Sequence, residues 1–199
     1  MAVLEHEVRS AEARLTDLRR HLFTREEYYG LSEILANQRV ELIEGQIIEM
    51  APIGDFHAAV THPLAVILEE AFGEGFSARN QVPIALGDDF KPSDPQPDVT
   101  IVAGTWRDYV GRHPGAADVK LIVEVADSSL KDDRGIKAKL YGSAGIPEYW
   151  IVNLVDQQVE VYREPCETGY ESVTTYGVGD TIKPLSAPGT RVSVTDFLP

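Results

Sequence analysis

Cysteine is nearly absent from this chain of 199 residues. Cys166 stands alone, which excludes an intrachain disulfide and a cysteine-built zinc site. No stretch approaches the roughly 20 apolar residues of a membrane span, and Met1-Ala-Val-Leu-Glu-His-Glu7 lacks the apolar run of a signal peptide, so the cytoplasm is the expected compartment. There is no phosphate-binding glycine motif, no repeat and no low-complexity segment. His57 and His62 are five residues apart rather than four, so they do not share a helix face as a metalloprotease pair does. Positive charge is also scarce. The formal net charge of -14 argues against a general polyanion-binding surface, because affinity for phosphate backbones comes mainly from Lys and Arg. The stretch from Asn80 to Trp150 is nearly balanced, however, and its cluster of Lys131, Arg134, Lys137 and Lys139 leaves local anion binding open.

A hydrophobic content of 43% with 25% charged residues describes a globular chain able to bury a full core. Residues 1–23 form one unit, an amphipathic helix with Val8, Ala11, Leu15, Leu18 and Leu22 at helical spacing; residues 24–199 form a single domain. Thr24-Arg-Glu-Glu27 matches a capping box and starts a short helix through about Ile34. Arg39–Met50 reads as two strands around a Glu44-Gly45 turn, with Glu41 in the first strand. A long core helix spans Phe56–Phe72, interrupted only by Pro63. Strands are predicted at Gln81–Leu86 and from Asp98 to Val102, the latter stiffened by Pro92, Pro95 and Pro97, and again at Glu148–Leu154, Val159–Tyr162, Tyr170–Tyr176 and Arg191–Val194. This order of helices and strands indicates an α+β fold, a mixed sheet flanked by helices.

The centre of the chain is Val119–Tyr141. Alternation puts Val119, Leu121, Val123 and Val125 on one face of a strand and Lys120, Ile122, Glu124 and Ala126 on the other. A lone Glu among branched apolar residues is costly to bury unless a cation or hydrogen bonds meet it. Asp127-Ser-Ser129 offers side-chain oxygens to cap the helix that follows. On a wheel set at Ile136, the apolar Leu140, Tyr141 and Ala144 define an arc that also contains Asp133, at about 60°, and Lys137, at about 100°; Lys131, Asp132 and Lys139 fall outside it. Inward charges beside a buried Glu persist when paired or bound to metal. Two interpretations stay open on these residues: a functional site, or a structural Lys137–Glu124 ion pair with Asp133 serving the helix N-terminus.

Glu41-Leu-Ile-Glu-Gly45, Gln96-Pro-Asp98, Val123-Glu-Val125, Asp133-Arg-Gly-Ile-Lys137 with Tyr141, and Glu148-Tyr-Trp-Ile-Val152 together resemble the PD-(D/E)XK nuclease superfamily. More narrowly, they resemble the Uma-type family of restriction endonucleases, a domain of unknown function, over about residues 24–165. The resemblance implies a restriction-endonuclease-like mixed sheet, DNA as substrate, and Asp98, Glu124 and the Val125 carbonyl as ligands of Mg²⁺ or Mn²⁺. Ala126 stands where the superfamily signature has Lys, and the resemblance moves that role to Lys137. Glu41 becomes the additional upstream acid, with His57 a weaker candidate. A homodimer would suit cutting both strands. Two rivals accompany this expectation: a nuclease-like scaffold without turnover that binds or assembles, and hydrolysis of a small phosphorylated metabolite.

Overall fold

The computed structural model describes residues 21–198. The helix expected over residues 1–23 lies, apart from residues 21–23, outside them. Helix α1, Arg25–Gly30, is shorter than the capping box suggested, although both halves of the box form: the Thr24 amide donates to Glu27 Oε2 at 2.8 Å and the Glu27 amide to Thr24 Oγ1 at 3.2 Å. Strands β1, Val40–Ile43, and β2, Gln46–Glu49, make the expected hairpin. Its two turn residues, Glu44 and Gly45, both take positive φ (47° and 74°), the conformation whose twist matches that of the flanking strands.

Helix α2, Asp55–Phe72, runs through Pro63 without a break. Strands β3, Phe76–Arg79, and β4, Val99–Ala103, follow; then come β5, Val119–Ala126, helix α3, β6, Glu148–Asn153, β7, Gln158–Cys166, and β8, Gly169–Gly177. Helix α3 has three segments: an α-turn Leu130–Asp132, a π-helical turn Asp133–Lys137 and an α-helix Ala138–Ser143. A short pair, β9, Thr181–Ile182, and β10, Val192–Ser193, ends the fold.

The six strands β3 to β8 form one mixed sheet in sequence order. Every pairing is antiparallel except β5 with β6, the parallel neighbours joined through α3. Apolar residues on both faces of β5 build two cores. Leu121, Val123 and Val125 pack with Leu64 and Leu68 of α2, whereas Ile122 and Ala126 pack with Leu140 and Tyr141 of α3. Alternation therefore turns Glu124 toward α3. Val119 departs from the expected pattern. Ile101 pairs with Leu121 but Val102 with Val119, so Lys120 is bulged and Val119 joins the face of Ile122.

Gln81–Leu86 is not the strand the sequence suggested. It makes only isolated bridges, Ala85 with Gly115 and Leu86 with Ser93, because Gln81 turns the chain at φ 50° and Pro83 has no amide to donate. The sheet edge is instead β3, whose four residues Phe-Ser-Ala-Arg are too short and polar to announce themselves. Among the described residues no helix is long and apolar enough to cross a membrane.

Candidate active site

The carboxylates of Asp98 and Glu124 meet because of how β4 and β5 are paired. Val99 lies opposite Val123, which would put Pro97 opposite Val125, but the Pro97 carbonyl accepts instead from the Gln81 amide at 3.0 Å. The Val125 amide donates to Asp98 Oδ2 at 2.8 Å, filling the gap in the ladder, and the Asp98 amide reaches Glu124 Oε2 at 3.3 Å. Backbone N–H and C=O of one strand residue share an edge, so the Val125 carbonyl lies on this same side. The expected trio of Asp98, Glu124 and Val125 is thus one neighbourhood.

Lys137 enters from α3. Its Nζ donates to Glu124 Oε1 at 2.9 Å and lies 3.6 Å from Glu41 Oε1 and 3.9 Å from Asp133 Oδ1. The Tyr141 hydroxyl, one helical turn on, donates to the same Glu124 oxygen at 2.7 Å. Glu41 hangs over this cluster because the hairpin is tied down by the Leu42–Asp94 bridge and by the Gln96 amide, which donates to Glu41 Oε1 at 2.8 Å. All four residues named from the sequence, Asp98, Glu124, Lys137 and Glu41, therefore come together. The structural alternative is also present in form, since Lys137 and Glu124 do pair. Ser129, expected as a cap, makes no cap hydrogen bond; its hydroxyl donates to Asp133 Oδ2 at 2.6 Å, so Asp133 is held beside the cluster.

His57 belongs to the site more firmly than its sequence position suggested. Its Nε2 donates to Asp98 Oδ2 at 2.9 Å from the first turn of α2. Gln81 gave no signal at all: its side-chain amide donates to Asp98 Oδ1 at 3.1 Å from a residue with φ 50°, a left-handed conformation that costs a non-glycine residue about 1–2 kcal/mol. Only the strain marks it, and strain is invisible in a sequence.

The electrostatics divide the two acids. Burial pushes the Asp98 carboxyl up, but the hydrogen bond and charge of His57, with the Val125 amide and Gln81, outweigh it and bring the group below the ordinary range. Glu124 goes the other way, up to about 8. Burial is the main cause, and Asp98, Asp133 and Glu41 add to it against the pull of Lys137. Asp133 is likewise raised, chiefly by burial. Burial alone would lower Lys137, yet the carboxylates of Glu124, Glu41 and Asp133 hold it well above its usual value, so it stays an ammonium at neutral pH. One ammonium thus serves three buried acids.

Among the described residues no group of three or more His, Cys, Asp or Glu side chains is arranged to hold a metal ion. Asp98 and Glu124 supply two carboxylates. Each accepts three hydrogen bonds, Asp98 from His57, Val125 and Gln81, and Glu124 from Lys137, Tyr141 and the Asp98 amide. Of the roughly four acceptor positions on a carboxylate, each retains one. Two hard oxygen donors and a nearby carbonyl fit a cation such as Mg²⁺, which keeps several waters and takes one or two carboxylates. Beyond Lys137 and Glu41 the site opens into a hollow of about 370 Å³, lined also by Ile43, Ile48, Ile136 and Leu140.

Residues 25–195 match the family described as "Putative restriction endonuclease" (Uma2). The fold is similar to a crystal structure from Anabaena variabilis ATCC 29413 described as "a putative nuclease belonging to DUF820". That similarity has a TM-score of 0.67 at 18% sequence identity and covers 88% of this chain and 97% of the other. No curated protein matches the chain.

Proposed function

The chain belongs to the Uma2 family, and from that membership we propose that it is a nuclease that hydrolyses phosphodiester bonds of DNA, with Mg²⁺ or Mn²⁺ held by Asp98, Glu124 and the Val125 carbonyl. The observation that carries this reading is the meeting of two acids, 26 residues apart in sequence, with one inward ammonium at the edge of an open hollow.

When bound, the cation supplies Lewis acidity toward a phosphate oxygen. The chain's own residues do the rest. His57 and Gln81 fix the Asp98 carboxylate from two sides, and the Val125 amide fixes it to β5. Lys137 and Tyr141 both engage Glu124 Oε1, which leaves Oε2 turned toward Asp98. Because Lys137 remains protonated, its part is that of a donor: it orients a water or phosphate oxygen and offsets the negative charge that builds at phosphorus. Glu41 and Asp133, at 3.6 and 3.9 Å, hold that ammonium in place and take the function of the signature Lys away from position 126, where Ala126 is packed in the core.

The test is nicking of supercoiled plasmid with Mg²⁺ or Mn²⁺. Wild type is expected to nick, and Asp98→Ala to fall to the protein-free rate; equal rates for the two would overturn the proposal. A scaffold without turnover is favoured by one specific observation, that both acids already accept three hydrogen bonds from the chain itself. Calorimetry separates the two: an absence of Mn²⁺ binding at sub-millimolar concentration, together with an absence of nicking, selects the scaffold.

A further inference from the structure

Glu124 and Glu160 lie on one row of the sheet. Glu124 of β5 pairs with Ile151 of β6, and Ile151 pairs with Glu160 of β7, so the two acids flank Ile151 on the face that α3 covers. Neighbouring strands are about 4.8 Å apart, which separates the two acids by about 10 Å along the row. The π-helical turn Asp133–Lys137, where α3 departs from regular helical bonding, sends one cation to each of them. Lys137 Nζ donates to Glu124 Oε1 at 2.9 Å, while Arg134 donates from Nε to Glu160 Oε2 at 3.0 Å and from Nη2 to Glu160 Oε1 at 2.5 Å. The turn is thus attached to the sheet at two points.

The attachment through Arg134 is the more rigid of the two. Its planar guanidinium grips Glu160 through two parallel bonds, a geometry that an ammonium cannot make. Glu160 is in turn fixed on the sheet: the Tyr162 hydroxyl donates to its Oε2 at 2.9 Å and Asn153 Nδ2 to its Oε1 at 3.2 Å, and Asn153 Oδ1 accepts from the amides of Val155 and Asp156 at 3.1 and 3.0 Å. The Tyr149 hydroxyl donates to the Asp133 carbonyl at 3.3 Å, from the same side as Glu160. Lys137, by contrast, is a point charge on a flexible four-carbon stem, with three carboxylates, those of Glu124, Glu41 and Asp133, within 4 Å of its ammonium. Which of them it meets depends on where the backbone of the turn is held.

Arg134 is itself part-exposed, its side chain at 43%, and ion pairs of that kind add little to global stability. Geometry is where this one acts. We propose that Arg134 is a positioning residue for Lys137: by clamping the π-helical turn to Glu160, it sets the direction from which the ammonium meets Glu124 and the substrate. The clamp is a property of the fold and goes beyond the nuclease reading; only the second arm of its test rests on that reading.

The first arm reads the aim of Lys137 without turnover. The full chain is treated with acetic anhydride in EDTA, and acetylation of each lysine is followed by mass spectrometry. In Arg134→Gln, Lys137 is expected to react about fivefold or more faster than in wild type, because a released turn opens locally. Lys131 and Lys139 of the same helix are already exposed and should keep their rates. Arg134→Lys, which keeps the charge but not the fork, should fall between the two. Unchanged acetylation of Lys137 in Arg134→Gln overturns the proposal. So does an equal rise at Lys131, Lys137 and Lys139, which would mean that the helix loosens as a whole.

The second arm is nicking of supercoiled plasmid with Mn²⁺. Arg134→Gln should lower kcat about tenfold and leave KM within about twofold of wild type, since a misaimed group loses transition-state contact rather than binding. A raised KM at unchanged kcat overturns the proposal, because it would place Arg134 on the DNA. Failure of the hydrolytic reading looks different: no nicking depends on Asp98, yet acetylation of Lys137 still responds to Arg134.

Discussion

Glu124 is a carboxyl with too little positive charge around it. Lys137 is shared with Glu41 and Asp133, and burial removes the water that would stabilise the anion, so its pKa rises from 4.5 to about 8. Between those values the folded chain keeps a proton that the unfolded chain has released. The stability Glu124 contributes is therefore complete below pH 4.5 and is lost as pH climbs toward 8. Asp98 has the opposite sign: its native pKa is depressed, so its contribution is present above the ordinary carboxyl range and lost as pH falls through the native value. Thermal unfolding in EDTA checks the first of these. Glu124→Gln, neutral at every pH, should gain Tm relative to wild type as pH is raised through this window, and parallel curves for the two proteins would contradict the assignment. At this scale the buried Glu and the inward Lys were legible, because one charged residue in an apolar alternation stands out. His57 was legible only as a weaker candidate and Gln81 not at all, since neither breaks a pattern in its own segment.

Helix α3 is the element that delivers Lys137, and it is not a regular α-helix. Steps of about 100° placed Asp133 and Lys137 inward, where they are. The same steps placed Ile136 at the edge of the apolar arc, yet it is 59% exposed. The π-helical turn Asp133–Lys137 accounts for the difference, since i→i+5 bonds insert a residue and shift the phase of the residues within the turn. Downstream the helix is locked against β8 at Gly142. A Cβ there would run into the backbone carbonyl of Gly169, which has no side-chain freedom with which to yield. Gly142→Ala should therefore destabilise by the upper part of the 1–3 kcal/mol range typical of overpacking, roughly 2–3 kcal/mol, although Gly→Ala in an open helix is favourable. Urea unfolding would show it as a lower midpoint at unchanged m. A midpoint at or above that of wild type would mean α3 is free to move off β8.

For the whole molecule, acidity and nucleic-acid binding coexist only if contact is narrow. A chain that carries -14 has few cations to spare for phosphates, so its affinity for DNA should depend only weakly on salt, which titration at several salt concentrations checks; a steep loss of affinity with added salt would require a broad basic surface. The sequence by itself determined the α+β class, the hairpin at Glu44-Gly45, the strand that buries Glu124 and the helix that follows it, because each is written in a local period or turn that needs no distant partner. Only the tertiary structure decided that Asp98 lies beside Glu124 and that Glu41 hangs over Lys137. Those depend on the register of β4 against β5 and on where the hairpin docks, and register is fixed by contacts between segments, which no single segment encodes.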